Sequence, residues 1–170
     1  PVGIGWHPRF AIVSGQRQKA VLKLPNSLRV EVPDPRTGVP DGRLLPIDGT
    51  RYDFSRPEGA PLGTLPLDDT FVHLKPGLMD NGPTIELRDT AAGYGLRIIA
   101  VTSSISAIHV DAPANAGFVA IDPAMNYDDP FGREWKNEDT GMAVLQPGQS
   151  VQWKIRLEIF PLETTGSGQF

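Results

Sequence analysis

The 170-residue chain contains no cysteine, which excludes disulfides, thiolate nucleophiles and the cysteine-based structural zinc sites. It has no apolar run approaching the roughly 18–20 residues a membrane-spanning helix requires. Its first residues do not follow the pattern of a basic segment and an apolar core that marks a signal peptide, so no membrane partner is expected. Sixteen Lys and Arg are interspersed among twenty acids, for a net charge of −4. Without a basic run there is no footprint for a phosphate backbone, and nucleic acid is not an expected partner. No G-x-S-x-G elbow, P-loop or G-x-G-x-x-G occurs, which leaves acyl transfer and nucleotide chemistry unsupported. His7, His73 and His109 stand far apart with no H-x-H or H-x-x-x-H pair, so neither a metal nor a cofactor is expected. The lack of cysteine suits cytoplasm and periplasm alike; the compartment stays open, with a slight lean to the cytoplasm.

Long helical windows are lacking too. Glycine (18) and proline (17) make up about a fifth of the chain and are spread from end to end, so no stretch of helical length keeps a 3.6-residue apolar period. Period-two alternation takes its place: Leu28–Val32, Thr84–Arg88 and Val151–Ile159 alternate apolar and polar side chains, as half-buried strands do. Further strands are expected at Phe10–Val13, Lys19–Leu24, Phe71–Lys75, Tyr94–Thr102, Ser106–Val110, Phe118–Ile121 and Met142–Leu145. Turn clusters at Pro33–Gly42, Gly59–Gly63, Asp80–Pro83 and Pro147–Gly148 divide them. About ten short strands without a linker or repeat predict one all-β unit over residues 1–170, an antiparallel β-sandwich. The longest irregular stretch expected is Asp122 to Thr140, and long loops on a β scaffold are where sites tend to sit.

Chemistry-bearing residues cluster near apolar segments. His7 lies between Trp6 and Pro8, Asp68 and Asp69 precede Thr70-Phe71, and Asp122 follows Phe118–Ile121. A carboxylate at the end of an apolar strand can be tuned by partial burial. The structural alternatives are a hydrogen-bonded core or surface histidine for His7, a turn or Asx cap for Asp68-Asp69, and a turn start for Asp122-Pro123. Trp6, Trp153 and Phe160 equally suit a core or strand face.

The stretch Gly3-Ile4-Gly5-Trp6-His7-Pro8-Arg9-Phe10 resembles the G-x-G-F/W-H-P-Y-F signature of the aldose 1-epimerase (galactose mutarotase-like) superfamily. Gly38–Gly42 through Ile47–Phe54 resembles that family's P-x-G … G-T-x-F-D-F stretch, and Leu67–Phe71 its substrate-binding Asp with an aromatic three residues on. Phe118–Pro123 is similar to the catalytic F-x-x-I-E-P, and Val144–Gln149 to V-L-x-P-G-E. Order and spacing agree along the chain, and the likeness is to the C-terminal half of family members.

That resemblance implies a β-sandwich of the supersandwich type, and an isomerase that interconverts sugar anomers by opening and reclosing the ring. One group takes the proton from the C1 hydroxyl while another protonates the ring oxygen. Carried over, His7 is the general acid, Asp122 the base and Asp68 an anchor for sugar hydroxyls, with Trp6 as an aromatic wall. Imidazole, which titrates near neutrality, suits the acid role. Arg9 replaces the motif's Tyr, which points to an acidic sugar as well as a neutral monosaccharide. Asp122 replaces the motif's Glu and is one methylene shorter, which opens the alternative of a non-catalytic carbohydrate-binding or assembly module. A half sandwich would leave strand edges and an apolar face open, so an N-terminal-half chain or a second copy is the expected protein partner.

Overall fold

A computed structural model describes residues 1–163. Two antiparallel sheets face each other. The first holds β1 (Arg9–Ala11), β3 (Asn26–Val30), β4 (Leu44–Pro46), β6 (Leu67–Lys75), β9 (Ala107–Ala112) and β10 (Phe118–Ala124) in the order β1-β10-β9-β6-β3-β4. The second holds β2 (Val21–Lys23), β5 (Ala60–Pro61), β7 (Thr84–Asp89), β8 (Tyr94–Ala100) and β11 (Ile155–Pro161) in the order β11-β8-β7-β2-β5. The all-β sandwich expected from the alternation is the one observed.

Alternation decides the layers. Phe71, Ile108, Val110, Val119 and Ile121 from the first sheet meet Leu22, Ile85, Leu87, Leu96 and Ile98 from the second in one buried core, where removal of apolar area from water supplies the main drive to fold. The interleaved residues of the first sheet therefore point outward. There Val30, Val72 and Ala107 form a smaller apolar cluster under Tyr127 and Trp135, which the 125–140 segment folds back over the sheet.

Several boundaries differ from the sequence expectation. β6 begins at Leu67 rather than Phe71, so Asp68 and Asp69 lie in a strand and not in a turn. β10 runs through Asp122 and Pro123 to Ala124, so the irregular stretch starts later and Asp122 sits mid-strand. Proline is tolerated there because the Pro123 carbonyl, and with it the ring nitrogen, faces Trp6 rather than β9: Trp6 N–H donates to the Pro123 oxygen at 3.3 Å. Residues 4–8 accompany β10 through the Gly5–Ala124 bridge and the bond from the Met125 N–H to the Ile4 carbonyl, while β1 proper starts at Arg9. Met142–Leu145 is not a strand and contributes only the Val2–Ala143 bridge. β4 and β5, both short and proline-containing, were not expected, and β5 falls in what reads as a turn cluster. β11 starts at Ile155 rather than Val151, and its apolar face is not buried as the alternation predicts: Leu157 and Ile159 are 45% and 75% exposed on this edge strand.

Candidate active site

The outward face of the first sheet gathers the polar residues. Register sets Asp122 of β10 opposite His109 of β9, and His109 opposite Thr70 of β6. One row along, Ala120 lies opposite Asp111, and Asp111 opposite Asp68. Side chains directly opposite in antiparallel strands share a face, so these residues converge without any loop bringing them together.

His7 completes the row from the segment before β1. Its Nδ1 makes a short hydrogen bond with Asp122 Oδ2 across 115 positions of sequence. The two partners differ in environment: the His7 side chain is 54% exposed, that of Asp122 15%. The other carboxylate oxygen, Oδ1, is buried with no hydrogen-bond partner among the described residues. Burial pushes the Asp122 carboxyl above its ordinary value, and the hydrogen bond and charge of His7 offset only part of that. A carboxylate raised in this way is better matched to proton abstraction near neutrality.

The second imidazole is held on both sides. His109 Nε2 lies 3.2 Å from Asp68 Oδ1, and Nδ1 lies 2.9 Å from the Thr70 hydroxyl, which donates its proton to Asp128. A cavity of about 570 Å³ opens over this face, lined among others by Trp6, His7, His109, Asp122, Asp128 and Asp129, within the size range of small-molecule sites. Trp6 packs edge to face on Phe10, ring centres 6.1 Å apart.

Of the residues singled out from sequence, His7, Asp122 and Trp6 share the cavity, and Asp68 reaches it through His109. Arg9 is on the same face but outside the cavity wall, its guanidinium 4.9 Å from the Phe118 ring centre. His109, Thr70 and Asp128 were not assigned a role from sequence. The available signal was phase: His109 and Asp111 interrupt the apolar run Ala107–Ala112 at alternate positions, so both had to leave the core on one face. The third histidine sits elsewhere, at a bulge in β6 with φ 54°, bonded to Glu138 at 2.6 Å.

No family model matches the sequence, and no curated protein matches it. Among solved structures the chain is similar to a galactose mutarotase-like protein from Clostridium acetobutylicum, with 15% identity and a TM-score of 0.76 over 95% of this chain and 48% of that one. A galactose mutarotase-like protein from Lactobacillus casei gives 17%, 0.66, 93% and 53%, and a galactose mutarotase related enzyme from Lactobacillus acidophilus 17%, 0.53, 96% and 53%. The chain has the fold of galactose mutarotase-like proteins. It spans about half the length of those structures.

Proposed function

We propose that this chain carries the acid–base half of an aldose 1-epimerase-like site and interconverts the anomers of a monosaccharide. The observation behind the reading is the His7–Asp122 contact inside a cavity of about 570 Å³ walled by an indole. In the free protein His7 occupies Oδ2 of Asp122, the oxygen that a substrate can reach, since Oδ1 is enclosed. The exposed imidazole yields that oxygen to the C1 hydroxyl of an entering sugar. Asp122 takes the hydroxyl proton, the C1–O5 bond breaks as C1 becomes a carbonyl, and O5 receives a proton from His7. Rotation about C1–C2 and the reverse transfers close the other anomer. Asp68, oriented by His109, offers the carboxylate for sugar hydroxyls.

Saturation-transfer NMR of anomer exchange with a panel of aldoses tests the proposal: exchange above the uncatalysed rate that disappears in Asp122→Asn supports it. Unchanged exchange in that variant removes Asp122 as the base. A second reading, a carbohydrate-binding or assembly module without turnover, draws on the shortness of Asp122 and predicts binding without exchange.

The same proposal includes further strands along one side of the sandwich, supplied by an N-terminal-half polypeptide or a second copy. β1 and β11 are both sheet edges, the Tyr94 hydroxyl ties β8 to the Ala11 carbonyl at 2.8 Å, and the apolar face of β11 extends past them into solvent. Open edges beside exposed Leu157 and Ile159 favour association. Light scattering that gives a compact, stable monomer with no copurifying chain would overturn it.

A further inference from the structure

The charge around the cavity is one-sided. Asp122, Asp128 and Asp129 line it together with His7 and His109, and no lysine or arginine does. Asp68 stands against His109, and Asp111 lies beside Asp122 on the same face, close enough to push its carboxyl further up. Five carboxylates therefore face or border a space that holds two imidazoles, and the region stays negative even with both rings protonated.

Three of the five have protein partners: Asp122 has His7, Asp68 has His109 and Asp128 has the Thr70 hydroxyl. Asp111 and Asp129 make no hydrogen bond or ion pair through their carboxylates among the described residues. Asp129 is held on the cavity wall at φ 43°, a left-handed conformation that Asp adopts more readily than most residues. Its backbone is fixed there because its carbonyl accepts from Trp135 Nε1 at 2.9 Å and from the Gly132 N–H at 2.8 Å. Arg9, which shares this face, does not line the wall. Arg9 lies opposite Ala120 and stacks on Phe118, while Asp122 is the next residue of the face in the other direction along β10.

Resting on the reading of this cavity as the sugar site, we propose that its substrate is an amino sugar, whose ammonium is held by Asp129 with Asp128 beside it. A cationic ligand relieves the repulsion among the carboxylates, whereas a phosphate or uronate adds a further like charge to it. This differs from the acidic sugar that the resemblance implies through Arg9, and the two readings predict opposite orders of affinity.

Titration of the 15N-labelled chain with glucosamine, glucose and glucuronate, monitored by amide shifts, compares three charges on one ring configuration. Glucosamine should bind about tenfold more tightly than glucose, with glucuronate weakest, and its advantage should shrink as salt is raised. Asp129→Asn, with the amide spectrum showing the fold intact, should remove most of that advantage. Glucuronate equal to or tighter than glucose, parity of glucosamine and glucose, or no binding by any of the three overturns the proposal. Anomer exchange recorded on the same samples separates the two readings. Charge-selective binding without exchange leaves the amino-sugar proposal standing and removes the epimerase reading; exchange without charge selection does the opposite.

Discussion

Glu86 and Asp122 are both carboxylates on the outward face of a sheet, both largely shielded from water, and they are treated in opposite ways. Glu86 of β7 lies in a row across four strands, Lys23–Glu86–Arg97–Glu158, in which charge alternates at every step. Arg88 bonds one of its oxygens and Arg97 the other, the latter at 2.8 Å. Burial alone would raise the Glu86 carboxyl; the two guanidiniums outweigh it and hold the group below its ordinary value. Asp122 has one imidazole, an orphaned oxygen and Asp111 nearby, and its carboxyl is raised. A paired and saturated carboxylate contributes to the fold. One left short of partners stores free energy that a ligand can release.

The largest expected effect is on turnover. Asp122→Asn should lower anomer exchange by roughly 10²–10⁴-fold, read by saturation transfer, while Glu86→Gln leaves the rate within about twofold because no part of its network touches the cavity. Equal losses in both variants would break the distinction between the two carboxylates.

Stability should respond in the reverse order. Glu86→Gln leaves Arg88 without its carboxylate partner and Arg97 with Glu158 alone, and should cost about 2 kcal/mol in urea unfolding, less than the ~3–5 kcal/mol for a fully buried pair because both guanidiniums keep some contact with water. Asp122→Asn should be neutral or stabilising at pH 7, since it removes a charge that burial disfavours.

The pH dependence sharpens this by sign. A lowered carboxyl contributes stability that is present above its unfolded value and lost as pH falls through the folded one, so Glu86→Gln should lose its penalty on acidification. A raised carboxyl contributes stability that is present below the unfolded value and lost as pH rises through the folded one. Asp122→Asn should therefore show its gain near pH 7 and none below about pH 4. Thermal unfolding of the two variants and the wild type across that range measures both slopes.

The smallest effect is expected at Arg97→Lys. Arg97 reaches Glu86 and Glu158 together and stacks 4.7 Å from the Phe160 ring centre, a combination that a point charge cannot reproduce. About 1 kcal/mol of stability should be lost, with exchange unaffected; a loss as large as that of Glu86→Gln would mean that Arg97 rather than the pair of arginines neutralises Glu86.

How much of this could be read beforehand varies with the range of the interaction. β7 and β11 announce themselves by local alternation, because a pleated strand sends successive side chains to opposite faces. β4 and β5 do not, since three and two residues with a proline each carry no period. Pro123 reads as a breaker by composition, yet its nitrogen faces a segment that makes no regular ladder, and only the neighbouring chain reveals that the strand continues through it.

The residues themselves determine that the chain is an all-β sandwich, that His7, Asp68 and Asp122 are its motif-bearing polar positions, and that His109 and Asp111 must leave the core together. The first and the last follow from side-chain chemistry and a period of two, both local properties; the second follows from the family resemblance of the segments that carry those three residues. The tertiary structure decides that His7 meets Asp122, that Arg9 turns to Phe118, that carboxylates outnumber cations around the cavity, and that Leu157 and Ile159 remain in water. Each of those depends on which strands are neighbours and in what register they pair, and a one-residue slip between β1 and β10 or β9 and β10 would send the same side chains to the opposite face.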